Sequence, residues 1–206
     1  MRPEIADWPA RYFYGGLLRC GAVLPPCKLA PYTVLALPAQ CTTTASGSSN
    51  NPAEARLVLA VATAVRALQP ALTIGLLTFY SAQRELLASG TGDRVGMTVN
   101  TVDGFQGSER DVVVISCVRA GPAQSGIGFL ADRQRLNVAL TRARVCLVVV
   151  GDMGSLQQHS DMWRQLVSNA ERRGVLVKLQ PGLDWQKLGS SLTQLLVRQG
   201  EAPANL

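Results

Sequence analysis

Asn100–Ser116 reads NTVDGFQGSERDVVVIS, and Phe129–Asp152 reads FLADRQRLNVALTRARVCLVVVGD. Each contains a run of nearly uninterrupted apolar residues, VVVIS at 112–116 and CLVVV at 146–150. Runs of this kind suit the middle of a parallel sheet that helices cover on both faces. Similar short segments at Thr33–Leu37, Thr73–Thr78, Met97–Thr101 and Val175–Leu179 extend the pattern, so the predicted strands are these four together with Val112–Cys117 and Cys146–Val150. Helical stretches alternate with them. The expected fold is therefore α/β, three-layered, with a mainly parallel sheet.

Working outward, Asn51-Pro52-Ala53-Glu54 has the form of a helix start: a capping Asn, a Pro at the first helical position and a Glu reaching back to the cap. A long apolar helix to about Leu68 follows. Further helices are predicted at Gln83–Ser89, Asp132–Ala143 and Ser160–Arg172, and Trp185, Leu188, Leu192 and Leu195 recur at helical spacing near the C-terminus. Gln40–Asn50 (QCTTTASGSSN) and Arg119–Gly126 (RAGPAQSG) read as loops, the first of them mobile. The first thirty or so residues show little periodicity and are not placed by pattern.

Composition narrows the function classes. Of 206 residues, 47% are hydrophobic and 17% charged, which excludes a disordered tail. No run approaches ~18 consecutive apolar residues, and MRPEIADWPARYFYG lacks the apolar segment of a secretory signal. Five cysteines without a C-x-x-C pair argue against a disulfide framework or a zinc site, and for a reducing, intracellular setting, nucleus or cytoplasm; with no long apolar run, no membrane partner is expected. The net charge is +6, and 17 of the 20 cations are arginine. Guanidinium forks match phosphate oxygens, so a polyanion partner fits, as does mere codon bias.

Three segments carry candidate chemistry. In 100–116 a strand ends, Gly104 and Gly107 make a turn crowded with Thr101, Asp103, Gln106, Ser108 and Glu109, and a new strand begins. Strand-end loops place ligands in α/β sheets, although a plain turn with capping polar residues has the same pattern. In 129–152, Arg135, Ala139 and Arg142 fall at i, i+4 and i+7, so one helix face is expected to carry two arginines, and Asn137 and Thr141 form a second pair. That face suits a phosphate or plain solvent. In Ile74–Leu87 (IGLLTFYSAQRELL) a strand end leads to Phe79, Tyr80 and Arg84, which reads as a stacking aromatic beside an arginine or as a core aromatic pair under a helix start.

In this order the segments resemble the second RecA-like domain of superfamily 1 helicases, the RNA/DNA helicases of the senataxin and nonsense-mediated-decay group. TVDGFQGSERDVVVISCVR resembles that family's motif V (100–116), GFLADRQRLNVALTRAR its motif VI (129–145) and IGLLTFYSAQRELL its motif IV (74–87). SSNNPAEARLV resembles its Asn-x-x-Glu-Ala helix start. MRPEI followed by YFYGGLL resembles the segment that normally reads Tyr-Arg-Met-His-Pro-x-Ile, with Arg2 where His is usual. The resemblance covers residues 1–180, its N-terminal segment being 1–32, and leaves 181–206 as a C-terminal helix and tail.

The resemblance implies roles. Arg142 matches the motif VI arginine finger that contacts the γ-phosphate, and Arg84 a second γ-phosphate contact. Tyr80 matches the aromatic that stacks on the nucleotide base, Glu109 the acid near the ribose and Gly107 the adjacent backbone contact. Thr101 and Asn137 fall on the nucleic-acid side, where contacts go mainly to phosphate and sugar. The implied ligands are ATP with Mg²⁺ and a single strand of RNA or DNA. Tyr80, Arg84, Glu109 and Arg142 are expected to converge on one edge of the sheet.

A P-loop needs Gly-Lys-Ser/Thr. Here the three lysines, Lys28, Lys178 and Lys187, follow Cys27, Val177 and Gln186, and no Asp precedes a Glu. The sequence thus contains neither a Walker A motif nor the metal-binding Asp-Glu pair, and the domain lacks its own P-loop. It is expected to supply arginine fingers to a first RecA-like domain, in cis or in trans, to be inactive as an ATPase alone, and to leave Mg²⁺ to that partner domain. A non-enzymatic module that binds nucleic acid or a helicase partner is the alternative.

Overall fold

The computed structural model describes residues 1–21, 24, 27–92, 96–119, 126–180 and 185–197. In chain order the elements are α1 (Pro3–Tyr14), β1 (Tyr32–Ala36), β2 (Thr42–Thr43), β3 (Ser49–Asn50), α2 (Pro52–Leu68), β4 (Ile74–Thr78), α3 (Ser81–Thr91) and β5 (Met97–Thr101), then β6 (Arg110–Ser116), α4 (Arg133–Leu140), β7 (Ala143–Gly151), α5 (Met153–His159), α6 (Asp161–Arg172), β8 (Leu176–Lys178) and α7 (Trp185–Val197). Six strands form one sheet in the order β5-β4-β6-β7-β1-β8, and every pairing in it is parallel.

Alternate residues of the central strands enter two cores, which is why their sequences are apolar throughout. Val113, Ile115, Leu147 and Val149 meet α1, α4, α5 and α6. Val112, Val114, Val148 and Val150 meet α2, α3 and α7. The expected three-layer α/β architecture is what forms. Among the described residues, no helix is long and apolar enough to cross a membrane.

Four local expectations change. The unplaced N-terminus contains α1, with Pro3 in its first turn and the left-handed Gly15 (φ 56°) ending it. Its Ile5 and Trp8 are buried, a spacing that the aromatic-rich sequence held in view. The expected loop Gln40–Asn50 is a β2–β3 hairpin closed at Gly47 (φ 80°). Its small hydroxyl residues serve a purpose: Ser48 Oγ accepts from the Ala82 backbone N–H at 3.1 Å and so caps α3, where Tyr80 makes no side-chain cap. A short helix, α5, follows β7, capped by Asp152. Of the expected loop Arg119–Gly126, residues 120–125 lie outside the described residues, as do 181–184 and 198–206 of the tail.

The fourth change concerns Glu54. Asn51 caps α2 as expected, its side chain accepting from the Glu54 N–H. The reciprocal bond is not made. Gln83 Oε1 takes the Asn51 N–H at 2.8 Å, and Glu54 turns across the layer, where Oε1 accepts from Ser116 Oγ at 2.7 Å and from the Val118 N–H at 2.8 Å. Asn51 Nδ2 also donates to the Val118 carbonyl at 3.3 Å. These bonds hold Val118 at φ 72°, a backbone region that a β-branched residue rarely occupies.

Burial pushes the Glu54 carboxyl up from 4.5 to about 7, against the opposing pull of the Val118 and Ser116 hydrogen bonds. The folded value exceeds the unfolded one, so the stability this proton confers is complete below pH 4.5 and is lost as pH rises through about 7. We expect this group to cost about 3 kcal/mol of stability across that window. Glu54→Gln keeps the acceptor and cannot ionise. Urea unfolding at about pH 5 and about pH 8 should show the variant with a flatter pH dependence than the parent; equal slopes would show that Glu54 does not titrate there.

Candidate functional site

The parallel sheet has an amino edge and a carboxyl edge. Arg110 lies level with Ala143, and Ser116 with Val150, so the edges stand six residues apart along β6, about 20 Å at ~3.3 Å per residue. The candidate residues divide between them.

At the amino edge, β6 and β7 start side by side, and the Arg110 N–H donates to the Arg142 carbonyl at 3.1 Å. Helix α4 ends at Leu140, and the Thr141 hydroxyl bonds the Asn137 and Val138 carbonyls. Arg142 therefore sits in the turn into β7 and does not share a helix face with Arg135, as the i, i+7 spacing had predicted. Its guanidinium donates to the Val138 carbonyl at 3.1 Å and to Thr141 Oγ1 at 3.2 Å, which sets a cation on the C-terminal end of α4. No ion pair to a carboxylate engages it among the described residues, whereas neighbouring Arg144 pairs with Asp111 at 3.6 Å.

Gly107 and Glu109 reach the same edge through the crossover from β5 to β6. That crossover has one 3-10 turn, Asp103–Phe105, and two buried apolar side chains, Val102 and Phe105, that pin it to the sheet. Gly75 admits the Phe105 ring, since a Cβ there would come within 3.1 Å of it. Gly107 then adopts φ 80°, with nothing within 4 Å of where a Cβ would stand, so its backbone is open to a ligand. Glu109 follows, exposed. The N-terminal segment arrives here too: the Arg2 N–H donates to the Arg144 carbonyl at 2.9 Å, and its guanidinium bonds the carbonyls of Cys27 and Leu29.

The carboxyl edge holds Thr101, Tyr80 and Arg84, and Asn137 lies between the edges. Thr101 ends β5, and its hydroxyl accepts from the Gly104 N–H at 3.2 Å. Tyr80 follows β4 and Arg84 lies one turn into α3. Tyr80 is 4% exposed, its hydroxyl donates to the Ile127 carbonyl at 3.2 Å, and its ring lies 5.7 Å from that of Phe129. Burial raises its pKa above the ordinary tyrosine value. Asn137, midway along α4, donates to the Tyr14 hydroxyl at 2.8 Å, and its buried Oδ1 has no partner among the described residues. No group of three or more His, Cys, Asp or Glu among the described residues could hold a metal ion.

A protein family described as "AAA domain" matches residues 1–154. The chain is 33% identical over 194 residues to "Probable helicase senataxin" of Homo sapiens, an alignment covering 86% of this chain and 7% of that one. It is 34% identical over 200 residues to "Regulator of nonsense transcripts 1 homolog" of Drosophila melanogaster, covering 86% and 17%. Against "Helicase SEN1" of Saccharomyces cerevisiae identity is 41% over 109 residues, half of this chain and 5% of that protein. The chain belongs to the superfamily 1 helicases of the senataxin and nonsense-mediated-decay group. It spans a quarter or less of the length of these relatives.

In this helicase domain the expected convergence of four residues on one edge does not occur. Glu109 and Arg142 share the amino edge, with Gly107, while Tyr80 and Arg84 stand at the other end of the strands. The physical reason is that all strands run the same way: Tyr80 and Arg84 follow a strand, and Glu109 and Arg142 precede one. Tyr80 also has its ring in the core, so no face is open to a base. Pattern reading did not single out Phe129. It is 50% exposed, its ring tilted 43° to that of Tyr80, and it is an aromatic placed just before the Asp132 helix cap.

Proposed function

We propose that the chain is the C-terminal motor half of an ATP-dependent RNA/DNA helicase, and that its amino edge is the wall it presents to ATP. The observation that carries this reading is the grouping of Arg142, Glu109 and Gly107 at adjacent strand starts, with a guanidinium that no carboxylate among the described residues pairs with. A γ-phosphate there would meet Arg142, whose charge offsets what develops as the phosphoryl group departs. Glu109 would accept from a ribose hydroxyl, and the open backbone at Gly107 would allow the nucleotide close approach. Those groups fit a nucleoside triphosphate. They do not fit Mg²⁺, which would be held by the P-loop domain across the cleft. Arg84 and Tyr80 fall outside this site.

Thr101 and Asn137 remain the proposed contacts to a single strand of RNA or DNA. Thr101 is at the carboxyl edge, so the nucleic-acid path and the nucleotide wall occupy opposite ends of the strands. The test is reconstitution. The chain alone is expected to hydrolyse ATP at background rate, and joining it to a first RecA-like domain of the same group should produce nucleic-acid-stimulated hydrolysis. Robust stimulated ATPase activity from the isolated chain would refute the division of labour.

A further inference from the structure

We propose that Phe129, with Tyr80 beside it and the Arg135 guanidinium laid over its ring, forms a stacking platform for a base of single-stranded nucleic acid at the carboxyl edge. The inference rests on the helicase reading above and adds to it a contact that the motif spacing did not assign. Phe129 sits in the 3-10 turn Gly128–Ala131, half of it facing water. Exposure alone carries nothing; what marks Phe129 is the aromatic and guanidinium groups arranged around its ring. Arg135 lays its guanidinium 4.5 Å from the ring centroid, and Arg119 lies 5.8 Å from the centroid of Tyr80.

The platform is rigid for reasons on both sides. Tyr80 OH bonds the Ile127 carbonyl, and the Trp163 indole N–H donates to the Leu130 carbonyl at 2.9 Å, so the turn carrying Phe129 is pinned before and after the ring. Gly128 has φ 53°, and a Cβ there would come within 2.9 Å of the Tyr80 hydroxyl, so only glycine lets the turn lie this close. Arg135 is itself fixed by Asp103 at 2.9 Å and lies 3.8 Å from Asp132. Those two carboxylates offset the guanidinium charge. The site is therefore suited to a flat neutral π-face more than to a phosphate, and every base offers one.

Distance favours a polymer over the nucleotide. Phe129 stands at the other end of the strands from Arg142, about 20 Å along the strand direction. A nucleotide whose γ-phosphate meets Arg142 does not carry its base across that span. Thr101, at the same carboxyl edge, would hold the backbone of the strand whose base Phe129 receives.

The test uses the full chain and two probes, an oligouridylate and an oligothymidylate, each carrying one 2-aminopurine. Stacking should quench the probe fluorescence on binding. Phe129→Ala is expected to weaken binding of both probes roughly tenfold and to abolish most of the quenching, with Phe129→Tyr restoring both. The salt dependence should not change, because no phosphate contact is removed. Tighter binding of the uridylate would add that the ribose is read. Wild-type affinity and quenching in a folded Phe129→Ala would overturn the platform and leave the helicase reading standing, and would also be the result if the ring serves a protein partner. A parent chain that binds neither probe even at low salt would overturn both.

Discussion

Replacing Arg142 with alanine is expected to lower nucleic-acid-stimulated ATP hydrolysis by about 10³-fold or more once the chain is joined to a P-loop domain, while Arg84→Ala changes it by less than about tenfold. The contrast follows from the sheet. Arg142 precedes β7 and is held at the end of α4 by the Val138 carbonyl and Thr141 Oγ1. Arg84 is in the first turn of α3, beyond the opposite end of β4, beside Glu85 at 3.6 Å. One γ-phosphate does not touch both. An arginine finger acts on the departing phosphoryl group, so the loss should appear in kcat with KM for ATP changed little. Arg142→Lys keeps the charge without the planar fork and should recover only part of the rate. Equal losses in kcat from the Arg84 and Arg142 variants would contradict the amino-edge assignment.

The layers of this fold are readable from the sequence because burial on both faces demands unbroken apolar strands. VVVIS and CLVVV had no other economical reading, and the Asn51-Pro52 cap placed the start of α2 to the residue. Boundaries moved where alternation replaced continuity: β7 begins at Ala143, three residues before the apolar run, because Ala143 and Val145 point inward while Arg144 points out. The helix faces were less legible. Arg135 and Arg142 fit one helix in projection, but Thr141 closes the helix with its own hydroxyl, a choice that periodicity does not register.

The candidate residues were legible as turn residues, and their places in the sheet were not. Motifs record which turns carry polar groups, and each of the three did prove to be a strand-end turn. They do not record which end. Motif IV follows its strand, while Glu109 and Arg142 precede theirs, so a reading by chain order gathered residues that the parallel sheet keeps apart. Tyr80 shows a second limit. An aromatic at a strand end has the same local pattern whether its hydroxyl is free or, as here, bonded to Ile127 across a long stretch of chain. Glu54 shows a third: Glu three residues after a cap fits a local capping box, and only the neighbouring strand end at Ser116 and Val118 reveals the stronger partners.

Trp163→Ala is expected to be the most damaging single core substitution for stability, and it also tests how the fold holds the platform. The side chain is fully buried, and its indole N–H is the donor to the Leu130 carbonyl. Truncation of a buried tryptophan costs about 3–5 kcal/mol through lost contacts and the cavity left behind. Stripping the Leu130 carbonyl of its donor adds about 1–3 kcal/mol. The sum is comparable to the whole stability of an ordinary domain, about 5–15 kcal/mol, so the variant should be largely unfolded in moderate urea, where the parent is intact. Trp163→Phe separates the two causes. It keeps most of the volume and removes the N–H, so it should cost about 1–3 kcal/mol and leave a cooperative transition. Because the lost bond pins the turn that bears Phe129, Trp163→Phe should also weaken oligonucleotide binding while the parent fold persists. Binding that follows the parent despite the lower urea midpoint would mean that Leu130 is anchored for stability alone, and that Tyr80 by itself is enough to hold the ring in place.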